Sequence, residues 1–443
     1  MTAVSVTTVP DPGFTAPSAW PASAVPAPGG DVAVGGVPLA GLAERYGTPL
    51  YVLDEDEVRS RARAWRRALP DAEVVYAAKA FLCRAVVDWM EQEGLGLAVG
   101  SAGERELAAT RGFPADRIVL HGHARSPHDL RTALRLGVGR IVIGSGCEIA
   151  SLAARVPGPE PQQVMVRVRP DAGGPGRIHA VAGAQRFGLS VADGDAEEAV
   201  ARILGQPCLE LIGLHSHPGS QITSPEPYAR SVRRMIAFMA RIRDRYGITL
   251  PEIDLGGGFA VACPPGQPVP APAAYGRRIH DELIRCCAEF DYPLPRLTVE
   301  PGRSVLAGAG VVLHRVLAVR RMDGRVFASV DGGTGDAPGA DRCGARHAVR
   351  LVGRSPEGPT RATTVVAGDS EAGEVLAGPV ELPEDLRPGD VLAAPVSGAY
   401  RMSPVSGRAL TGGPAVAAVR GGRSRLLVRR ETFDDHRARD VGL

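Results

Sequence analysis

Short apolar runs and longer amphipathic stretches alternate along most of this chain. "PLYVLD" at Pro49 reads as a strand and 55–69 as an arginine-rich helix. The same pairing recurs in "AEVVYAAKA" with 82–93, "GLGLAVG" with 103–111, "RIVLHG" with 126–136 and "RIVIGS" with 147–155. It continues in "QVMVRVRP" with 194–204 after a glycine-rich insertion, "LELIGLHSH" with 226–246, and "EIDLGGG" with 273–289, and ends on "RLTVEPGR". Runs that are apolar throughout suit strands covered on both faces, and the intervening 3.6-residue periodicity suits helices. Repeated strand–helix units predict a parallel sheet, and about eight of them in ~250 residues predict a closed (β/α)8 barrel over 49–304.

Beyond Ser304 the pattern changes. Brief Val/Leu/Ala runs such as "GVVLHRVLAVRRM", "RVFASVDGG", "ATTVVAGD" and "DVLAAPVSGAY" are divided by Gly, Pro and Asp turns, which predicts an all-β domain over 305–443. The expected class is therefore α/β plus all-β. Residues 31–48, "DVAVGGVPLAGLAERYG", are expected to join the β-domain. Residues 1–30 are rich in Pro, Ala, Ser and Thr, lack any period, and are expected to form a disordered tail.

Composition narrows the function classes. The 443 residues are 44% hydrophobic with a net charge of +2, which points to neither nucleic acid nor a membrane surface as a partner. No apolar run approaches the ~20 residues that span a bilayer, and no secretory signal pattern opens the chain. Seven scattered cysteines show no metal-binding spacing, so no metal and a reducing, cytoplasmic setting are expected.

Chemistry-bearing residues gather where strands end. In a barrel those ends share one face, which is where catalysis is built. Lys79 closes "VVYAAKA", where it either reaches solvent or is held as a Schiff-base nucleophile. "HSHPGSQ" (215–221) offers a flat imidazole, His217, and Gly-Ser donors. "DLGGGFA" (254–260) places three glycines where backbone amides can approach an anion. "EPGRS" (300–304) couples Glu300 to Arg303, which can grip a phosphate or carboxylate bidentately. Taken singly, each is equally a turn or a surface salt bridge. Taken together they supply an amine, an acid for a pyridinium nitrogen, a planar partner and phosphate donors, a site for pyridoxal 5'-phosphate.

With those motifs and "VSGAY" and "RRETFDD" added in the same order, the chain from about residue 35 onward resembles the alanine-racemase-fold (fold type III) decarboxylases, nearest the diaminopimelate decarboxylase-like family. The resemblance implies that Lys79 carries the cofactor, His217 stacks on its ring, and Ser220, Gly257, Gly302 and Arg303 face its phosphate. It also implies that Glu300 holds the ring nitrogen, that Tyr400 touches the cofactor, and that a homodimer shares its active sites. Four segments depart from the family pattern. Ser370 of "DSEAGEVL" stands where relatives carry a proton-donating cysteine, leaving Ser370, Asp369, Glu371, Tyr400 or water for that task. In 331–350, Gly339 and Cys343 replace a substrate-gripping Arg and Tyr, with Asp341 and Arg342 beside them. Ala98 replaces a common Asp, and "SGRALTGGP" replaces an Asn-Gly-x-Pro-Arg pattern.

The expectation is accordingly a decarboxylase of a specialised amino acid, free or carrier-bound. Arg303, Asp341, Arg342 and Glu371 would meet the substrate, and Lys79, Ser370 and Glu371 would carry the chemistry. The alternatives are a true diaminopimelate decarboxylase, a pyridoxal phosphate enzyme coupling decarboxylation to oxidation, transamination or carbon–carbon bond formation, and a non-catalytic homologue.

Overall fold

The computed structural model describes residues 19–122, 125–169, 187–262, 267–332, 348–368, 375–400, 402 and 412–442. They fall into two compact units, one comprising 59–261 with 269–306 and the other the remaining residues.

The first unit is a closed barrel of eight parallel strands. They are β1 (Glu73–Ala77), β2 (Gly96–Val99), β3 (Ile118–Leu120), β4 (Arg140–Ile143), β5 (Gln162–Arg169), β6 (Leu209–His215), β7 (Glu252–Asp254) and β8 (Arg296–Val299). Each pairs with the next, β8 pairs with β1, and β4 with β5. Val75, Ala98, Val119, Val142, Met165 and Ile212, one from each of β1 to β6, form a single buried cluster. Such a layer of side chains makes the barrel a packed core rather than a pore.

Helices follow the strands for reasons written locally. The helix Ala102–Thr110 opens on a capping box in which Ser101 accepts from the Glu104 amide while the Glu104 carboxylate accepts from the Ser101 amide. The long helix Glu226–Tyr246 buries Tyr228, Val232, Met235, Ile236, Met239 and Ile242 on one side. It ends with Arg243 and Arg245 in its last turn and a left-handed Gly247, both favourable at a C-terminus.

At the strand starts, four charged residues knit the barrel together. Arg140 donates to Glu73 at 2.5 Å and to Glu252 at 2.9 Å, and Arg296 pairs with both carboxylates. Arg140 is buried, and although burial opposes its charge, the two carboxylates raise its pKa above the usual arginine value.

The second unit is built on a β-sheet whose central strand, Gly310–Met322, pairs with Leu50–Asp54, Arg325–Val330 and Val391–Pro395. Here the expected boundaries need correction. Leu50–Asp54 does not open the barrel: it lies antiparallel to Gly310–Met322 and parallel to Ala415–Arg420. Its five residues are all buried. A strand covered on both faces satisfies either sheet, and pairing across more than 250 residues of chain is not written in its own pattern.

The expected tail is also partly ordered. Val25–Ala27 pairs with Asp31–Val34, and Ser23 donates to Asp54. Val32, Val34, Leu39 and Leu42 join the core of this unit with Leu50, Val52, Val311 and Ala417. Two strands not anticipated, Val375–Pro383 and Ala415–Arg420, complete the sheet. Among the described residues no helix is long and apolar enough to cross a membrane.

Candidate active site

The ends of the barrel strands bring together most of the expected side chains. Lys79 stands on a single 3-10 turn, Ala78–Ala80, directly after β1. Ala78 and Ala80 are buried, whereas Lys79 is exposed, with its charge close enough to act on His217. The dry environment that a lysine at a strand end suggested is not present around Lys79 in this chain alone.

Glu300 follows β8 and is buried. His121, one residue beyond β3, lies with Nε2 2.5 Å from Glu300 Oε1. His215, the last residue of β6, lies with Nε2 3.7 Å from Glu300 Oε2, and its ring packs edge-on against that of His121. Burial alone would raise the Glu300 pKa, yet His121 beside it holds it well below the usual carboxylate range. Burial pushes His215 down to about 3, so it is neutral at physiological pH.

Asp254, the last residue of β7, is fully buried, and its Oδ1 accepts from the Gly256 amide at 2.7 Å. Burial and the neighbouring Glu300 charge push its pKa well up. Two carboxyl groups this close cannot both ionise cheaply, and the environments divide them into one anion and one acid. Arg167 on β5 adds a guanidinium to this region, stacked over Phe187, and burial lowers its pKa.

His217 continues the β6 loop. Its Nδ1 accepts from the Gly257 amide at 3.2 Å, which fixes the plane of the ring. Burial first, then the charges of Lys79 and Arg167, drive its pKa well below the ordinary value, so its ring is neutral at physiological pH.

The three glycines after β7 are demanded by close packing. Gly256 and Gly258 have φ of +61° and +99°, a region that disfavours side chains. A Cβ on Gly257 would meet the Glu300 carbonyl oxygen at 2.3 Å, and one on Gly258 would meet that of Gly219 at 2.1 Å. Backbone hydrogen bonds tie the same loops together: Glu300 donates to Gly256 and Ile222 donates to Gly258. Ser220 lies half-buried in the β6 loop, Gly302 packs against Ala77 and Ala80, and Arg303 begins the short helix Arg303–Leu306.

Tyr400, half-buried with φ +61°, belongs to the β-sheet unit. Gly339, Asp341, Arg342, Cys343, Asp369, Ser370 and Glu371 lie outside the described residues. Sequence reading passed over His121, Arg167 and Asp254. His121 occupies the same position relative to its strand as Glu300, one step past the last apolar residue of "RIVL".

Among the described residues, His121, His215 and Glu300 also form the one grouping of three metal-ligating side chains, with donor atoms within 4.8 Å of one another. Comparison with known proteins bears on which group these strand ends hold. The family model described as "Pyridoxal-dependent decarboxylase, pyridoxal binding domain" matches residues 55–307, more than half of the chain.

The chain belongs to the pyridoxal-dependent decarboxylases.

This decarboxylase is 49% identical over 416 residues to diaminopimelate decarboxylase of Actinosynnema pretiosum subsp. auranticum, covering 93% of each chain. It is 37% identical over 434 residues to diaminopimelate decarboxylase of Mycobacterium tuberculosis, covering 95% of this chain and 97% of that one. The crystal structure of diaminopimelate decarboxylase from M. jannaschii in co-complex with L-lysine superposes with a TM-score of 0.88. It covers 96% of this chain and 98% of that one at 24% identity, a likeness that speaks for the fold.

The decarboxylase uses pyridoxal phosphate, and the strand-end side chains fit that group. An accessible amine, a buried carboxylate held as an anion, a neutral imidazole bonded through Nδ1 and tightly folded glycine loops are the donor set such a cofactor needs. Asp254 Oδ2 and both His215 ring nitrogens lack hydrogen-bond partners among the described residues, so the floor of the site keeps polar capacity in reserve.

Proposed function

We propose that this decarboxylase removes one carboxylate from diaminopimelate, releasing carbon dioxide and leaving lysine. One observation carries the reading: near-full-length identity of 49% and 37% to proteins named for that activity. It displaces the specialised amino acid expected from sequence alone, which now stands second.

Bound at the strand ends, pyridoxal phosphate supplies an electron sink for the carbon–carbon bond that breaks. In this reading Lys79 binds the cofactor through Nζ. Glu300, anionic because His121 holds its pKa low, would keep a proton on the ring nitrogen. His217 would stack on the cofactor ring; a neutral imidazole adds no charge that would compete with the protonated nitrogen. Ser220, Gly257, Gly302 and Arg303 bind the phosphate, with Arg303 also turned to the substrate carboxylate.

Tyr400, Asp341, Arg342, Ser370 and Glu371 are assigned to substrate and proton delivery, in a homodimer whose partner completes the site. That part of the reading rests on the family resemblance, as does a cytoplasmic setting. Sedimentation of the holoenzyme at about twice the mass of the 46.3 kDa chain supports the dimer; a monomer retaining full turnover contradicts it.

The second reading, a specialised substrate, keeps Ser370, Gly339 and Cys343 in its favour. A serine hydroxyl is a far weaker acid than a thiol. Carbon dioxide release from meso-diaminopimelate, with lysine as the sole amino-acid product, supports the first reading. No turnover of meso-diaminopimelate alongside turnover of another amino acid overturns it. An aldehyde product indicates decarboxylation coupled to oxidation or transamination.

A further inference from the structure

Three of the largest buried rings of the barrel unit, Trp65, Tyr228 and Tyr275, gather around Phe259, all nearly inaccessible to solvent. Phe259 lies 4.2 Å from the Trp65 ring, stacks on Tyr228 at 4.6 Å with planes 8° apart, and meets Tyr275 edge-on at 5.1 Å. Packing of this kind needs no polar atoms, and phenylalanine would serve at every position. Yet each of the three outer rings carries a hydrogen-bond donor, and each donor goes to a different strand-end loop. Tyr228 donates to the Gly257 carbonyl at 3.0 Å in the loop after β7. Tyr275 donates to the Ile222 carbonyl at 2.5 Å in the loop after β6. Trp65 Nε1 donates to Ser304 Oγ at 3.1 Å in the segment after β8.

Those are the three loops assigned above to the cofactor phosphate. A phosphate site made of backbone amides works only if the amides are held in place before the anion arrives, because loops that must be ordered on binding weaken it. The Tyr228 contact is the most direct case. Its hydroxyl holds the carbonyl of Gly257, which orients the Gly257–Gly258 peptide plane and with it the Gly258 amide.

We propose that Trp65, Tyr228 and Tyr275 are positioning residues that fix three loops in register for the phosphate of the cofactor. Phe259 is the shared hub that sets the spacing among them. This inference rests on the assignment of those loops to the phosphate.

The test compares pyridoxal 5'-phosphate with pyridoxal, which has the same ring and aldehyde and no phosphate. Cofactor-free protein is titrated with each, and binding is followed by cofactor absorbance in wild type, Tyr228→Phe, Tyr275→Phe and Trp65→Phe. Tyr292→Phe is the control, since Tyr292 also uses its hydroxyl within the core, bonded to the Leu250 amide and carbonyl just before β7 at the opposite end of the strand. Each variant loses a buried hydrogen bond, so all four lower the melting temperature. Loss of one positioning hydrogen bond is expected to weaken pyridoxal 5'-phosphate by about five- to tenfold. Pyridoxal should change less than twofold, and Tyr292→Phe should change neither.

Equal weakening of both ligands, or unchanged affinity for both in all three loop variants, overturns the inference and reduces the cluster to core packing. If wild type itself prefers pyridoxal 5'-phosphate no more than pyridoxal, the phosphate assignment of the loops fails, and the inference with it.

Discussion

The two ends of the barrel carry similar sets of charged side chains and use them in opposite ways. At the strand starts, Arg140 and Arg296 face Glu73 and Glu252, two cations against two anions, each ion paired. At the strand ends, Glu300 and Asp254 share a buried space with His121, His215 and Arg167, and the pairing is deliberately uneven. One carboxyl is held as an anion and its neighbour is pushed toward the acid form. His215, buried, is kept neutral and makes no hydrogen bond among the described residues. A balanced network closes the base of the fold; an unbalanced one stores electrostatic potential for a ligand. Opposed ionisation of neighbouring carboxyls, in a cluster at the strand ends of a barrel, is what marks this end as the candidate site.

The comparison breaks most visibly at Arg140. Arg140→Met takes the buried cation away from Glu252 and the half-buried Glu73, leaving both to the more exposed Arg296, and should cost up to about 3–5 kcal/mol in a denaturant melt. Turnover per folded molecule should stay within a factor of two of wild type. Glu300→Gln should do the reverse. Turnover should fall by about 10²–10³-fold, because the ring nitrogen loses its anion. The cofactor-free protein should stay within about 1 kcal/mol of wild type, because removing one of two crowded carboxyls relieves Asp254. Equal destabilisation by both substitutions would erase the distinction between the two ends.

Gly258→Ala tests whether the strand-end loops are held by backbone packing. Its Cβ would meet the Gly219 carbonyl oxygen at 2.1 Å, from a φ of +99°. The expected cost is about 1–3 kcal/mol, accompanied by weaker cofactor retention. Unchanged stability and retention would mean the loops move freely.

Per pH unit, the smallest effect is a pH dependence. Folding lowers the His215 pKa from 6.5 to about 3. Between those values the unfolded chain binds the proton and the folded chain does not. The stability this group contributes is therefore complete above pH 6.5 and is lost as pH falls toward 3. The slope is at most about 1.4 kcal/mol per pH unit. Melts of the cofactor-free protein across that range should show a shallower slope in His215→Gln. An identical slope would mean that His215 is not held neutral.

Much of the barrel was legible because each of its strands is a local event: an apolar run, a turn, then an amphipathic helix. The strand-end chemistry was legible for the same reason, since the fold itself fixes where each strand must point. What could not be read was non-local. Leu50–Asp54 looks like any strand buried on both faces, and only its partners at Gly310–Met322 and Ala415–Arg420 assign it to the β-sheet unit. Val25–Ala27 sits in a Pro- and Ala-rich segment that reads as disorder, and it is ordered by the hairpin it joins. Lys79 illustrates a subtler limit. Its neighbours on both sides are buried while its own side chain is exposed, on a single 3-10 turn that is invisible in the hydropathy pattern. His121 was missed because a histidine in "LHGH" says nothing until β3 brings it against Glu300.

The central claim is that the barrel's strand ends hold pyridoxal phosphate on the Lys79 amine. Borohydride reduction of the holoenzyme, followed by proteolysis and mass mapping, measures it directly. A phosphopyridoxyl mass on Nζ of the peptide containing Lys79, and its absence after Lys79→Ala, is the predicted result. A label on any other lysine, or none on a protein that still turns over its substrate, contradicts it.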